Sequence, residues 1–394
     1  MKIALVTMRT DPARGGAERY TVDLAEALAN EGHDVSLLAS NLVGAPAGVK
    51  GVLLEARALT RVRRYERFLD ALDAHLERTP YDLVHAMLPV RRCDVYHPHA
   101  GLARAMVAND SALATLLNPR RSRVAAVEVQ LLESPNPPVV LCLSEYVRRA
   151  VREWYALPEP RLPILFNAVD LEKYDPAKRP EARATVRSRL GLEDEQRLAA
   201  FVGHDFERKG LREAVLALGR LQKTDGEVAR RLKLVIAGRA RARKYLALAR
   251  QHDVEKQVLE YGHTDDTYPI YQAADFLVLP TKHDPCSLVV LEALAMGVPV
   301  ISTRFNGACE IMTNGVHGFV LDDPADVNAL ADAMRTLSDP EARRRMSEAC
   351  RALRPKLAYQ HHLRTLLGIY EHASRLRNSR DAPAGIASIG GRQM

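Results

Sequence analysis

At 394 residues, 47% of them hydrophobic, the chain is long enough for two or three domains and too apolar to be a disordered protein. A formal charge of +7 favours an anionic partner. With 5% aromatic residues and no nucleic-acid motif, that partner is not expected to be nucleic acid. Five scattered cysteines (Cys93, Cys142, Cys286, Cys309, Cys350) contain no C-x-x-C pair, which argues against a disulfide framework or a zinc site and for a reducing cytoplasm.

In chain order, Met1–Met8 reads as a strand rather than a signal peptide, because it runs straight into a loop and a helical pattern. No apolar run approaches the roughly 18–20 residues that cross a bilayer. The spacing of Tyr20, Leu24, Ala27 and Leu28 predicts a helix over 17–30, ended at Gly32, and Asp34–Ala39 predicts a second strand. Further short strands are expected at Leu83–Ala86, Asp94–His97, Val139–Leu143 and Pro163–Phe166. Arginines cluster at Arg57, Arg61, Arg63, Arg64 and Arg67 and again at Arg120, Arg121 and Arg123. These fit either a solvated helix face or a surface drawn to anionic lipid headgroups, at about 1 kcal/mol per basic residue. The polar stretch 171–196, with Pro176 and Pro180, predicts a linker and a surface helix.

The pattern then restarts. Strands are expected at Leu198–Val202, Lys233–Ala237, Val258–Tyr261, Phe276–Leu279, Val298–Ser302 and Phe319–Leu321, with helices near 211–222 and 288–296. Residues 325–376 are helical by pattern, and the Gly-, Ser- and Ala-rich end is expected to be disordered. Alternating strands and helices predict α/β architecture, with two doubly wound parallel-sheet domains in tandem. The cleft between them, at the carboxyl ends of the strands, is the expected active site.

Four stretches could carry chemistry. Gly15-Gly16, between the first strand and helix, allows close approach of an anion to a helix N-terminus, or makes only a tight turn. It is not G-x-G-x-x-G, and Ser40 and Asn41 stand where a ribose-binding acid would end the second strand, so a nicotinamide dehydrogenase is disfavoured. Gly203–Gly210 places Arg208 and Lys209 just before a helix, as a diphosphate cradle or as an exposed basic turn. In Asp284–Pro299, Ser287 is a fair N-cap, Asp284 lies on the loop above the helix, and Glu292 sits among apolar residues where it needs a partner, either ribose hydroxyls or a neighbouring base. Tyr96–Gly101 offers His97 and His99 at a strand end, able to contact a sugar or phosphate or to move protons. His85 and His263 read as structural.

Together these residues resemble the retaining glycosyltransferases of family 4 with the GT-B fold, over about residues 1–375. The matching pieces are Gly15-Gly16-Ala17-Glu18, Asn167-Ala168-Val169-Asp170 with Tyr174, Arg208-Lys209-Gly210, Ala237-Gly238 and the acid pair Asp284/Glu292. Asp94-Val95-Tyr96 and Gly203–Gly210 are similar to the lipopolysaccharide core enzymes that add glucose to a heptose.

The resemblance implies two Rossmann-like domains facing across a cleft: 1–170 for the acceptor, 171–355 for the nucleotide sugar, a helix at 356–376 crossing back, and a disordered tail at 377–394. It implies that Glu292 holds the donor ribose, and Arg208 and Lys209 the diphosphate. Asp284 and the backbone of Cys286, Ser287, Leu288 and Val289 would face the donor sugar. Gly15, Gly16 and Gly203 would line the donor site, with Gly16 letting the N-terminal loop approach, and His99 would be the acceptor-side histidine. The first acid of the pair is usually Glu in the family; Asp284 is one methylene shorter. The expected substrate is a nucleotide sugar, UDP-glucose, with no metal or other cofactor. The expected partner is a glycan or glycolipid acceptor, with the chain cytoplasmic and in contact with an anionic membrane face. Rival readings are another nucleotide-sugar enzyme of the fold, such as one with a different donor or an epimerase, or a non-catalytic membrane scaffold.

Overall fold

The computed structural model describes residues 1–11, 16–108, 118–264 and 266–381. Among these, the strands form two six-stranded parallel sheets. The first contains β1 (Lys2–Arg9), β2 (Asp34–Asn41), β3 (Val49–Leu53), β4 (Leu83–Ala86), β5 (Val95–Tyr96) and β6 (Val139–Val140), in the order β3-β2-β1-β4-β5-β6. The second contains β7 (Arg197–Val202), β8 (Leu232–Ala237), β9 (Val258–Gly262), β10 (Phe276–Val278), β11 (Val300–Thr303) and β12 (Gly318–Leu321). Its order, β12-β11-β10-β7-β8-β9, repeats that of the first sheet when read from β9. Each half therefore reverses direction beside its first strand, between β1 and β4 and between β7 and β10, and this is where open α/β sheets bind ligands.

Helices cover both faces. The first half carries α1 (Gly16–Asn30), α2 (Arg61–Arg78), α3 (Ala103–Ala108), α4 (Pro119–Leu132) and α5 (Glu145–Trp154). The second carries α6 (Arg179–Arg189), α7 (Leu211–Thr224), α8 (Gly226–Arg231), α9 (Arg243–Gln251), α10 (Tyr268–Ala273), α11 (Leu288–Ala295), α12 (Val327–Ser338), α13 (Pro340–Ala352) and α14 (Arg354–Leu357). Covered on both sides, the inner strands are continuous apolar runs: Ile3, Ala4, Leu5 and Val6 are all fully buried, as are Leu198, Ala199, Ala200 and Phe201.

The final helix, α15 (Tyr359–Asp381), leaves the second half and packs on the first. Leu363, Leu366, Tyr370 and Ala373 recur at helical spacing and join the core formed by Ile3, Leu5, Tyr20 and Leu24. Burying each large side chain is worth about 1.5–3 kcal/mol, so this stripe is enough to fix the crossing. Tyr20 Oη to His362 Nε2 (2.8 Å) and His85 Nδ1 to Tyr370 Oη (2.7 Å) set its register.

Two expectations are corrected. Pro163–Phe166 is not a sheet strand: Ile164 makes a single bridge to Cys142, because Pro163 has no N–H to extend the ladder. Residues 377–381, expected in a disordered tail, continue α15, while 382–394 lie outside the described residues. The arginine-rich stretch near 61 is the start of α2, anchored by buried Tyr65, Phe68, Leu69 and Leu72. Among the described residues no helix is long and apolar enough to cross a membrane.

Candidate active site

The two halves meet around a cavity of about 470 Å³. The first half contributes Gly16, Ala17 and Arg19 from the start of α1, His99 from the loop after β5, and Asn167. The second contributes the loops after β7, β8 and β10 and the start of α11. Of the residues singled out from sequence, Gly16, His99, Gly203, Arg208, Lys209, Asp284, Cys286, Ser287, Leu288, Val289 and Glu292 all line it. Gly15 lies outside the described residues.

The loop after β7 is shaped by glycine. Gly210, just before α7, has φ +84°, and a Cβ there would overlap the carbonyl oxygen of Pro280. No other residue type lets the chain turn this close to the β10 loop. The turn aims Lys209 inward, where it is 9% exposed and forms an ion pair with Asp284, itself 7% exposed. Lys209 Nζ also lies 3.3 Å from Ser287 Oγ. Arg208 is more open. Its Nε donates to Asp205 Oδ2 at 3.3 Å, and its NH1 donates to the carbonyl of His283.

Ser287 stands at the N-cap of α11, but its side chain makes no capping bond. The cap position is instead fixed from behind, where the amide of Ser287 donates to Asn306 Oδ1 at 3.3 Å. The first turn of α11 is therefore an uncapped positive helix end facing the cavity, with Lys209 and Arg208 beside it. That is a site built for a multiply charged anion. Three residues tune it: Asp205 and Asp284 orient the two cations, and Ser287 holds Lys209 over the helix end.

Glu292 lies one turn along the same helix, 9% exposed. Its Oε2 accepts from Tyr271 Oη (2.9 Å) and Thr267 Oγ1 (3.2 Å). Among the described residues the alternative of a salt bridge to a neighbouring base is not found; the bonded partners are neutral hydroxyls. The carboxylate stays on the cavity wall as an acceptor for further hydroxyl donors.

Gly16 meets Leu288 across the interface: a Cβ on Gly16 would lie 2.9 Å from Leu288 Cδ1. Its lack of a side chain lets α1 and α11 approach end to end. Other contacts between the halves close around the same loop. Ser144 Oγ donates to the Pro285 carbonyl (2.7 Å), Asn167 Nδ2 to the Cys286 carbonyl (3.1 Å), and Tyr146 Oη pairs with His283 Nδ1 (2.7 Å). The Glu310 carboxylate accepts the amides of Glu145 and Tyr146 at the start of α5 (2.7 and 2.6 Å).

Of the two candidate histidines, His99 lines the cavity and His97 is fully buried behind it. The His99 ring packs against Tyr20 (4.4 Å between centroids) and His97 (4.0 Å). Burial, reinforced by the neighbouring His362, pushes the His99 imidazole down to about 3. It is neutral near pH 7, so it can accept or donate a hydrogen bond but cannot supply a positive charge to a phosphate. Asn167, quoted from sequence only as part of a matching motif, also lines the cavity, and sequence reasoning missed Arg19, Thr267 and His283. Arg19 falls three residues after Gly16 on the first turn of α1, a signal that helical spacing carried; Thr267 and His283 carried none.

The Glycosyltransferase Family 4 model matches residues 14–173, and the Glycosyl transferases group 1 model matches residues 182–353. The lipopolysaccharide glucosyltransferase WaaG of Escherichia coli K12 is 24% identical, over 82% of this chain and 85% of its own. A D-inositol 3-phosphate glycosyltransferase of Xylanimonas cellulosilytica is 27% identical over 96% of this chain and 98% of its own. The crystal structure of WaaG superposes with a TM-score of 0.80 at 23% identity, covering 95% of this chain and 99% of that one. Anabaena HepE in complex with UDP-glucose superposes with a TM-score of 0.70 at 18% identity, covering 96% and 100%.

Proposed function

The chain belongs to the glycosyltransferases, with a family 4 domain followed by a group 1 domain on the GT-B fold, and from that premise we propose that it moves glucose from UDP-glucose to a glycan or glycolipid acceptor with retention of configuration. The observation that carries the reading is the uncapped end of α11 with Lys209, Arg208 and Ser287 gathered beside it.

In this reading the UDP diphosphate lies across the α11 N-terminus, between Arg208 and Lys209, and Glu292 binds the ribose hydroxyls. Asp284, already paired with Lys209, and the backbone from Cys286 to Val289 border the sugar. The C1–O bond breaks toward an oxocarbenium-like state, and the departing phosphate is stabilised by two fixed cations and a helix dipole that need no reorganisation. The electron pair stays with the phosphate oxygen. The acceptor hydroxyl then forms its bond to C1 on the same face and passes its proton to the departing phosphate oxygen. His99, neutral and at the acceptor side of the cavity, orients that hydroxyl. No metal or covalent nucleophile is invoked.

Two features support the donor and acceptor classes. HepE, of the same fold, is a UDP-glucose complex, and WaaG is a lipopolysaccharide glucosyltransferase. A lipid-linked acceptor also suits the surface beside α2, where Leu59 is fully exposed near exposed Arg57 and Arg63. This supports peripheral contact with the anionic inner face of a membrane from the cytoplasm. Co-sedimentation with anionic vesicles that weakens at high salt checks that contact. The function itself is tested by screening nucleotide sugars for acceptor-dependent release of nucleoside diphosphate and determining the anomeric configuration of the product. An inverted product, or no release with any nucleotide sugar, defeats the reading.

A further inference from the structure

A second cavity, of about 520 Å³, opens beside the first half of the cleft. It is lined by Arg9 at the end of β1, Arg61 and Arg64 in the first turn of α2, Arg120 at the start of α4, and by Met8 and Glu18. Arg61 and Arg64, three residues apart, share one helix face. Four guanidinium groups thus converge with one carboxylate, an excess of three positive charges.

These arginines differ from their neighbours. In the same half Arg91, Arg104, Arg123 and Arg152 each hold a carboxylate within 2.7–3.2 Å. Among the described residues none of the four lining arginines forms a salt bridge; Arg64 makes one 3.4 Å contact to the Ala58 carbonyl. Arg123 is one turn further along α4 than Arg120 and pairs with Glu66, so the helix is not short of acidic partners. The Arg120 guanidinium is held below its usual range by burial and then by the like charges of Arg9, Arg61 and Arg64, as convergence on one space requires. Four like charges gathered without partners give this space a strongly positive potential that draws an anion.

The position says which anion. Glu18 faces this cavity, while Gly16, Ala17 and Arg19 beside it line the main cleft, so one turn of α1 separates the two. Both lie at the carboxyl end of the first sheet, on the acceptor's side. We propose that this cavity receives a phosphate group borne by the sugar acceptor, so that the enzyme selects a phosphorylated acceptor. The word acceptor rests on the function proposed above; the phosphate site does not. Guanidinium groups grip phosphate oxygens in pairs, and Arg9, Arg61 and Arg64 are exposed, so that an incoming phosphomonoester can reach them. A lipid phosphodiester offers the same oxygens but would have to enter from a flat bilayer surface.

The test uses the full chain saturated with UDP, so that phosphate sites on the donor side are filled. Inorganic phosphate titrated by calorimetry should bind one further site. Arg120→Gln, and separately Arg61→Gln with Arg64→Gln, should each weaken it about tenfold or more, with UDP affinity and thermal unfolding unchanged. Equal phosphate affinity in these variants and the parent protein overturns the proposal. Glucose 6-phosphate should displace the phosphate where glucose does not. Displacement by phosphatidylglycerol vesicles but not by the sugar phosphate also overturns it, in favour of a membrane contact. If UDP itself does not bind, the donor reading fails, and the phosphate titration run without UDP still decides this one.

Discussion

Replacing Lys209 by Ala removes one of the two cations beside α11 and leaves its partner behind. Lys209 and Asp284 are both about nine-tenths buried and paired, and Nζ sits 3.3 Å from Ser287 Oγ. Two losses follow. One charge-stabilising donor to the leaving phosphate disappears, worth roughly 10²–10³-fold in turnover, or about 3–4 kcal/mol. The Asp284 carboxylate is also uncovered. At roughly 5 Å from a phosphoryl oxygen, with an effective dielectric near 20, it repels a unit negative charge by about 3 kcal/mol. That repulsion acts on the bound donor as well as the transition state, so it falls mainly on donor affinity. The two losses separate in the double variant: Asp284→Asn added to Lys209→Ala should recover donor affinity and leave turnover low. Steady-state release of UDP measures turnover, and calorimetric titration of UDP measures affinity. Turnover within about threefold of the parent in Lys209→Ala would refute the assignment of Lys209 to the leaving group.

Three further outcomes are expected. Glu292→Gln should weaken UDP binding about 10–100-fold by calorimetry, the cost of a hydrogen bond to a charged group, while the melting temperature moves little, because Tyr271 and Thr267 keep an acceptor. Gly210→Ala should cost about 2 kcal/mol or more in stability, since φ is +84° and the new Cβ overlaps Pro280; differential scanning calorimetry should show a lower melting temperature, and UDP affinity should fall with it. His85, His99 and His362 are held down to about 3, 3 and 4 by burial. Their folded pKa values lie below the unfolded value near 6.5, so the unfolded chain takes up protons first as pH falls, and their stability contribution is lost from about pH 6.5 downward. Each should cost about 2 kcal/mol at pH 5, read as a lower urea midpoint at pH 5 than at pH 7; His99→Asn should flatten that slope, and an unchanged slope would contradict the burial.

How much of this was legible in the sequence follows from where the information sits. Strands β1, β2, β7 and β8 were readable because each is an apolar run of six to eight residues bounded by turn signals. β3 was not, since Val49-Lys50-Gly51-Val52 alternates charge and glycine at a sheet edge; β5 and β6 were readable at Asp94–His97 and Val139–Leu143, though they pair over only two residues each. Arg208, Lys209, Asp284 and Glu292 were readable because a doubly wound sheet places loop residues after β7 and β10 at one end, so local sequence predicts position. Their mutual contacts were not. The Lys209–Asp284 pair spans 75 residues and Asn167 reaches Cys286 across 119, distances over which no periodicity acts. The pairing changes the chemistry, because Lys209 acts as half of an ion pair rather than as a free cation. His99 shows the same gap: two histidines on a loop suggest proton transfer, and only the packing with Tyr20, His97 and His362 shows the ring to be neutral.

A crystal structure of the protein with UDP bears most directly on all of this. The account predicts the two phosphates over the first turn of α11, within hydrogen-bonding reach of Arg208 and Lys209, and the ribose against Glu292. Density for the nucleotide on the first half of the molecule, or in the second half but away from these three side chains, would contradict it.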